Sequence, residues 1–253
     1  MTFAETIKFR SAIVVTIMTT VVISCSTTRR LKNTQIGLIN NISYQDPSFD
    51  NSNASNGFLV AYNGKTYAIT AKHVLMIAKT DAMKFVDFEG GLKQWKMHPK
   101  NDSTKYIITD KLLNTNKKDS LTWTYMDTNW DTYEDWLVFS VKENKTNYTP
   151  LLFRKKPLKK GERLYAVGWT YKDTTGPQRA YEYKFDNTEG NFHTLIQTRG
   201  PKNMGGLSGA PVVDTIGRIV GLVSSGSEDE NTKEVVLQAT DIQHAFEFIS
   251  DIK

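Results

Sequence analysis

Residues 203–226, NMGGLSGAPVVDTIGRIVGLVSSG, place Ser208 in a turn of small residues and follow it with two apolar, β-branched runs. Gly205, Gly206 and Gly209 open backbone conformations closed to other residues, so successive N–H groups can converge on one point while the hydroxyl stays exposed. Convergent donors beside a hydroxyl are what an oxyanion hole needs. The runs Ala210–Val213 and Arg218–Val223 have strand composition, and residues 214–217 separate them.

Working outward, the same short, turn-punctuated pattern recurs. Before the serine, strand-like segments fall at Gln35–Ile39, Gly57–Tyr62, Lys65–Thr70, Ala82–Phe88, Leu92–Met97, Tyr106–Ile108, Leu121–Tyr125 and Asp135–Val141. A polar connection over 142–160, with Pro150 and Pro157, leads to a second set at Arg163–Trp169, Arg179–Phe185, Phe192–Thr198 and, after the serine, Glu234–Ala239. Asn63-Gly64 is a hairpin signal, because both residues tolerate positive φ. A helix is expected only at the end, capped by Thr240 or Asp241, with Ile242, Ala245, Phe246 and Ile249 on one face. Many short strands with one late helix predict an all-β protein, as two barrels or a sandwich. No internal repeat of fixed period is present.

The chain has 253 residues, 39% hydrophobic and 23% charged, which is a globular balance. Its formal charge of +5 is spread among many acids. Without a long basic run or an RNA-reading motif, nucleic acid is excluded as the expected partner. The single cysteine, Cys25, rules out an intrachain disulfide. Lys8 and Arg10 precede an apolar run, Ala12–Ile23, of signal-peptide length. The run ends in Val22-Ile23-Ser24-Cys25, which resembles the lipobox of bacterial lipoproteins; the alternative is an uncleaved anchor with an incidental cysteine. The resemblance implies a signal peptide over 1–24, a lipid on Cys25, a polar tether over 25–34 that leaves 35–253 for the folded domain, and a place in the bacterial cell envelope on its periplasmic or surface side.

A serine hydroxyl becomes nucleophilic when a base takes its proton, and a buried carboxylate orients that base. Of the four histidines, His73 alone follows an apolar strand directly; His98 adjoins Pro99, His193 lies in a strand and His244 in the terminal helix. No pair has metal-ligand spacing, so neither a metal nor a cofactor is expected. Asp135 stands at the entry to an apolar strand, with Asp131 and Glu134 as rivals.

Thr70-Ala71-Lys72-His73-Val74, Asp135-Trp136-Leu137-Val138 and Gly206-Leu207-Ser208-Gly209-Ala210-Pro211-Val212 together resemble the three blocks of chymotrypsin-like serine proteases, in that family's order of His, Asp, Ser. They are most similar to the disulfide-free bacterial branch. The resemblance implies two six-stranded antiparallel β-barrels, about 35–142 and 158–240, and a triad of His73, Asp135 and Ser208 in the cleft between them. It further implies an oxyanion hole from the N–H groups of Gly206 and Ser208, and a substrate-pairing edge at Ser224, Ser225 and Gly226. A polypeptide is then the expected substrate. Leu207 replaces an aspartate that, in digestive members, pairs with a freed N-terminal amine, so that activation route is not expected. Lys202 stands where trypsin carries an acid, which argues against a preference for basic side chains and leaves an acidic preference open. A catalytically silent, peptide- or protein-binding relative remains the alternative. An α/β-hydrolase fits less well, since its G-x-S-x-G elbow is broken by Ala210.

Overall fold

The computed structural model describes residues 27–74, 91–114 and 134–252. The strands expected at 82–88 and 121–125, the rival Asp131, and the leader through Cys25 lie outside the described residues.

Twelve strands form two closed barrels of six. The first comprises β1 (Gly37–Tyr44), β2 (Asn56–Tyr62), β3 (Lys65–Thr70), β4 (Leu92–His98), β5 (Ile107–Leu112) and β6 (Leu137–Asn144). The second comprises β7 (Arg163–Gly168), β8 (Arg179–Glu189), β9 (Phe192–Arg199), β10 (Pro211–Asp214), β11 (Ile219–Glu228) and β12 (Val235–Asp241). Around each barrel the neighbours run first-second-third-sixth-fifth-fourth, so the halves share a topology although the sequence has no repeat. The ladders between these strands are antiparallel, and Asn63 and Gly64 turn the β2–β3 hairpin at φ of 47° and 75°.

β1 reaches further than its composition suggests. Asn40 reads as a break but is fully buried, and its amide is satisfied on both sides. Its Oδ1 accepts from the Trp95 indole at 3.0 Å, and its Nδ2 donates to the carbonyls of Ala54 and Asn56 and to the Thr70 hydroxyl. A buried amide with every partner in place costs little, and the strand continues through it to Tyr44.

The connection between the barrels is an extended strap. Leu151 bonds Leu59 and Ala61 of β2, and one and three residues later Leu152 and Arg154 bond Ile219 of β11. A C-terminal helix, α2 (Gln243–Asp251), then crosses back onto the first barrel. Its Ile242, Ala245 and Ile249 are buried, and Phe246 packs edge-on against Tyr62 and tilted against Phe153. The helix cap is Ile242, with no side-chain cap hydrogen bond, and not Thr240 or Asp241 as expected; the Asp241 carboxylate, one residue earlier, accepts from the Gln243 N–H at 2.9 Å.

Residues 27–33, within the stretch whose polarity suggests a tether, form a short helix, α1. Its one apolar side chain, Leu31, is buried. A fully buried amide, Gln178 in the second barrel, holds the segment that follows: Oε1 accepts from the N–H groups of Ile36 and Gly37, and Nε2 donates to the carbonyls of Leu31 and Thr34.

Candidate active site

β3 and β6 are paired with Thr70 opposite Leu137, so the residues leaving β3 and those entering β6 meet at one barrel end. His73 is three residues past Thr70, in the start of a helical turn, and Asp135 is two before Leu137. The two side chains meet: His73 Nδ1 lies 2.7 Å from Asp135 Oδ2, and the His73 N–H donates to Asp135 Oδ1 at 2.9 Å. Asp135 has no exposed surface and His73 only 6%. Ser224 of β11, also buried, donates its hydroxyl to Asp135 Oδ2 at 2.5 Å, which ties the carboxylate to the second barrel. Burial pushes the His73 pKa down, but the charge of Asp135 and its hydrogen bond outweigh that and hold it above 6.5.

Ser208 enters the same cleft on the loop between β9 and β10. Asn56 N–H of the first barrel donates to the Ser208 carbonyl at 2.9 Å, and the Thr70 hydroxyl donates to the Asn56 carbonyl at 2.7 Å. Gly209 follows with φ of 74°, and a Cβ on it would fall 2.7 Å from the Thr70 hydroxyl and 3.0 Å from the Ala71 nitrogen. Only a glycine lets the serine loop approach this closely to the segment carrying His73.

The donor turn is also in place. Gly205, Leu207, Gly209 and Ala210 each donate their N–H to an acceptor in the protein. Among the described residues, the N–H groups of Gly206 and Ser208 donate to none. Gly206 has φ of 90°, and its carbonyl is turned inward, where it accepts from Asn56 Nδ2 at 2.7 Å. That same Nδ2 donates to the Trp169 carbonyl, and Asn56 Oδ1 accepts from the Trp169 N–H. Leu207, fully buried, packs into the core of the second barrel.

A cavity of 420 Å³ adjoins the serine, lined by Lys202, Met204, Ser208, Ser224–Glu228 and Leu237. β11 pairs with β10 only as far as Leu222, and beyond the register shift at Val223 its residues pair with β12 alone. Its other edge, at Ser225 and Gly226, faces this cavity unpaired by any described strand. Lys202, at the rim, pairs with Glu228 at 3.2 Å, so its charge is answered.

The remaining candidates lie elsewhere. Glu134 is exposed and meets His244 at 3.2 Å. His98 bonds the Pro99 carbonyl, and His193 bonds Thr188 and faces Asp241. No group of three or more metal-ligating side chains occurs among the described residues. Sequence reasoning missed Asn56, although its place one residue before an apolar β2 run, beside Gly57, was the available signal.

A model of the trypsin-like peptidase domain matches residues 55–222, more than half of the chain. The chain belongs to the trypsin-like peptidase family. Solved structures similar to this trypsin-like domain include the active form of the Rv3671c protease from M. tuberculosis, at 13% identity and a TM-score of 0.53, covering 92% of this chain and 87% of that one. The serine endoprotease from Yersinia pestis is similar at 16% identity and a TM-score of 0.54, over 89% of this chain and 66% of that one. At these identities the likeness shows the fold. No curated protein matches by sequence.

Proposed function

We propose that the protein is a serine endopeptidase in which Ser208 attacks the scissile carbonyl, His73 takes its proton, and Asp135 orients His73. The observation that carries this reading is the buried His73–Asp135 pair, anchored by Ser224, beside a serine turn whose Gly206 and Ser208 N–H groups have no acceptor among the described residues. His73 Nδ1 is committed to Asp135, which leaves Nε2 as the atom that accepts the serine proton. The proton passes on to the leaving amine, the acyl group stays on Ser208 Oγ, and water releases it by the reverse sequence. Negative charge on the tetrahedral oxygen is received by the two N–H groups.

The unpaired β11 edge supports a polypeptide substrate bound as an added strand. The side chain preceding the scissile bond enters the cavity between Met204 and Leu237. Lys202 at the rim is exposed and paired with Glu228, so an acidic side chain there would compete with Glu228 for it. The lipobox-like Val22-Ile23-Ser24-Cys25 supports a lipid anchor on Cys25 and a place at the envelope membrane. Casein and a peptide library test the activity. Ser208→Ala should abolish cleavage, and Asp135→Asn should lower kcat on the order of 10⁴-fold. Unchanged cleavage in Ser208→Ala would remove Ser208 as the nucleophile, and unchanged cleavage in Asp135→Asn would remove Asp135 from the triad.

A further inference from the structure

Two of the most exposed large apolar side chains, Leu152 at 60% and Ile216 at 61%, line one hollow beside α1. Leu152 lies on the strap between the barrels, and Ile216 at the tip of the turn joining β10 to β11. The strap and the turn are joined by the Ile219 N–H donating to the Leu152 carbonyl. The helix joins the same unit, because Arg30 Nη2 donates to the Thr215 carbonyl at 2.6 Å. Arg30 and Arg218 line the same hollow as the two apolar side chains, both exposed, and among the described residues neither is paired with a carboxylate. The acid of this turn, Asp214, points inward, where it accepts from the N–H groups of Ile216 and Arg218 and meets Arg154. The surface is therefore apolar at its centre and cationic around it.

We propose that this surface seats on an anionic phospholipid bilayer and fixes how the protease stands on the membrane. The inference rests on the reading that the chain is held at a membrane by its leader or by a lipid on Cys25. If so, distance leaves little freedom: only Ser26 separates Cys25 from Thr27, the first residue of α1, so the two lie at most about 7 Å of chain apart. α1 and the hollow beside it then lie against the headgroups whichever form the anchor takes. Arginines there are attracted by anionic lipid over about one Debye length, ~10 Å, and leucine and isoleucine enter the interface between them. β10 separates Ile216 from the serine loop by about 13 Å of strand. The attached end and the catalytic end are thus opposite ends of one strand, and the cleft opens away from the bilayer.

The test uses the full chain, extracted from expressing bacteria and reconstituted into vesicles of phosphatidylcholine and phosphatidylglycerol, with and without brominated acyl chains. Ile216→Trp adds a reporter on the proposed surface, and Tyr171→Trp adds one beside Gly206 at the cleft. Brominated lipid should remove most of the emission added at 216 and leave that added at 171. High salt or Arg30→Glu with Arg218→Glu should restore the emission at 216 while the chain still floats with the vesicles. A chain that floats but shows equal quenching at the two positions, or none at 216, overturns the docking surface and leaves the anchor standing. A chain that does not float with vesicles overturns the anchor, and the docking surface with it.

Discussion

Asn56 touches three polar groups of the second barrel with one amide: the Gly206 carbonyl and both backbone groups of Trp169. Under the proposed function, the Asn56 amide and the burial of Leu207 would hold the donor turn, in place of a pairing between an acid at position 207 and a freed N-terminal amine. Asn56→Ala leaves the three groups without their partner and frees the Gly206 peptide to turn its N–H away from the cleft. We expect kcat to fall on the order of 10²-fold, as for loss of one oxyanion donor, with KM for peptides little changed. A merely structural residue would lower stability while sparing kcat in the molecules that stay folded, so kcat measured per titrated active site decides between the roles. At His73 the sign is also set. Only the neutral imidazole accepts the serine proton, and its pKa is held above 6.5, so kcat/KM should fall with acid through a midpoint above that value. A pH–rate profile with its acid limb at or below 6.5 would contradict the pairing with Asp135. The same shift means that the charged pair stabilises the fold below about 6.5 and loses that contribution as pH rises through the folded value.

The element least legible in the sequence is α1. Residues 26–34 contain one apolar side chain, which is too weak a pattern for a docked segment. What holds it is remote: Gln178, more than 140 positions away, reads four backbone groups that no local periodicity marks. Gln178→Ala should leave those groups buried and unpaired, costing about 2 kcal/mol or more. For a chain of this size that lowers Tm by roughly 4–8 °C, measurable by calorimetry. Strand identities were far more legible, because period-two burial and turn residues are local. The buried Asn40, which extends β1, was not, since it depends on partners in other strands, and the β11 edge beyond Val223 was reached only through the family resemblance. Of the site, the strand ends carrying His73 and Asp135 and the glycine turn around Ser208 could be read directly. The Ser224 hydroxyl on Asp135 and the Asn56 clamp could not, because they arise only when the barrels close on each other.

At the scale of the molecule, the cleft is made by two barrels of one topology held in register by the strap, by α2 and by the Asn56 contacts. Nothing in this arrangement calls on a trimmed N-terminus to complete the donor turn. Chains beginning at Ser26 and at Lys32 should therefore hydrolyse casein at similar rates at low temperature, although the shorter one loses buried Leu31 and should melt earlier. A requirement for one particular N-terminus would show that the turn is assembled by activation.

The most direct test of the central claim is labelling of the folded chain with a fluorophosphonate. Exposed serines keep their proton and do not react; reaction needs a base within hydrogen-bond reach and donors around the developing oxyanion. The account predicts one adduct per chain, on the peptide containing Ser208. It should be absent in Ser208→Ala and absent also in His73→Ala, where the serine remains. A folded chain that takes no label at any pH across the range in which it stays folded would contradict it and make the protein a peptide-binding relative with the protease fold and no catalysis.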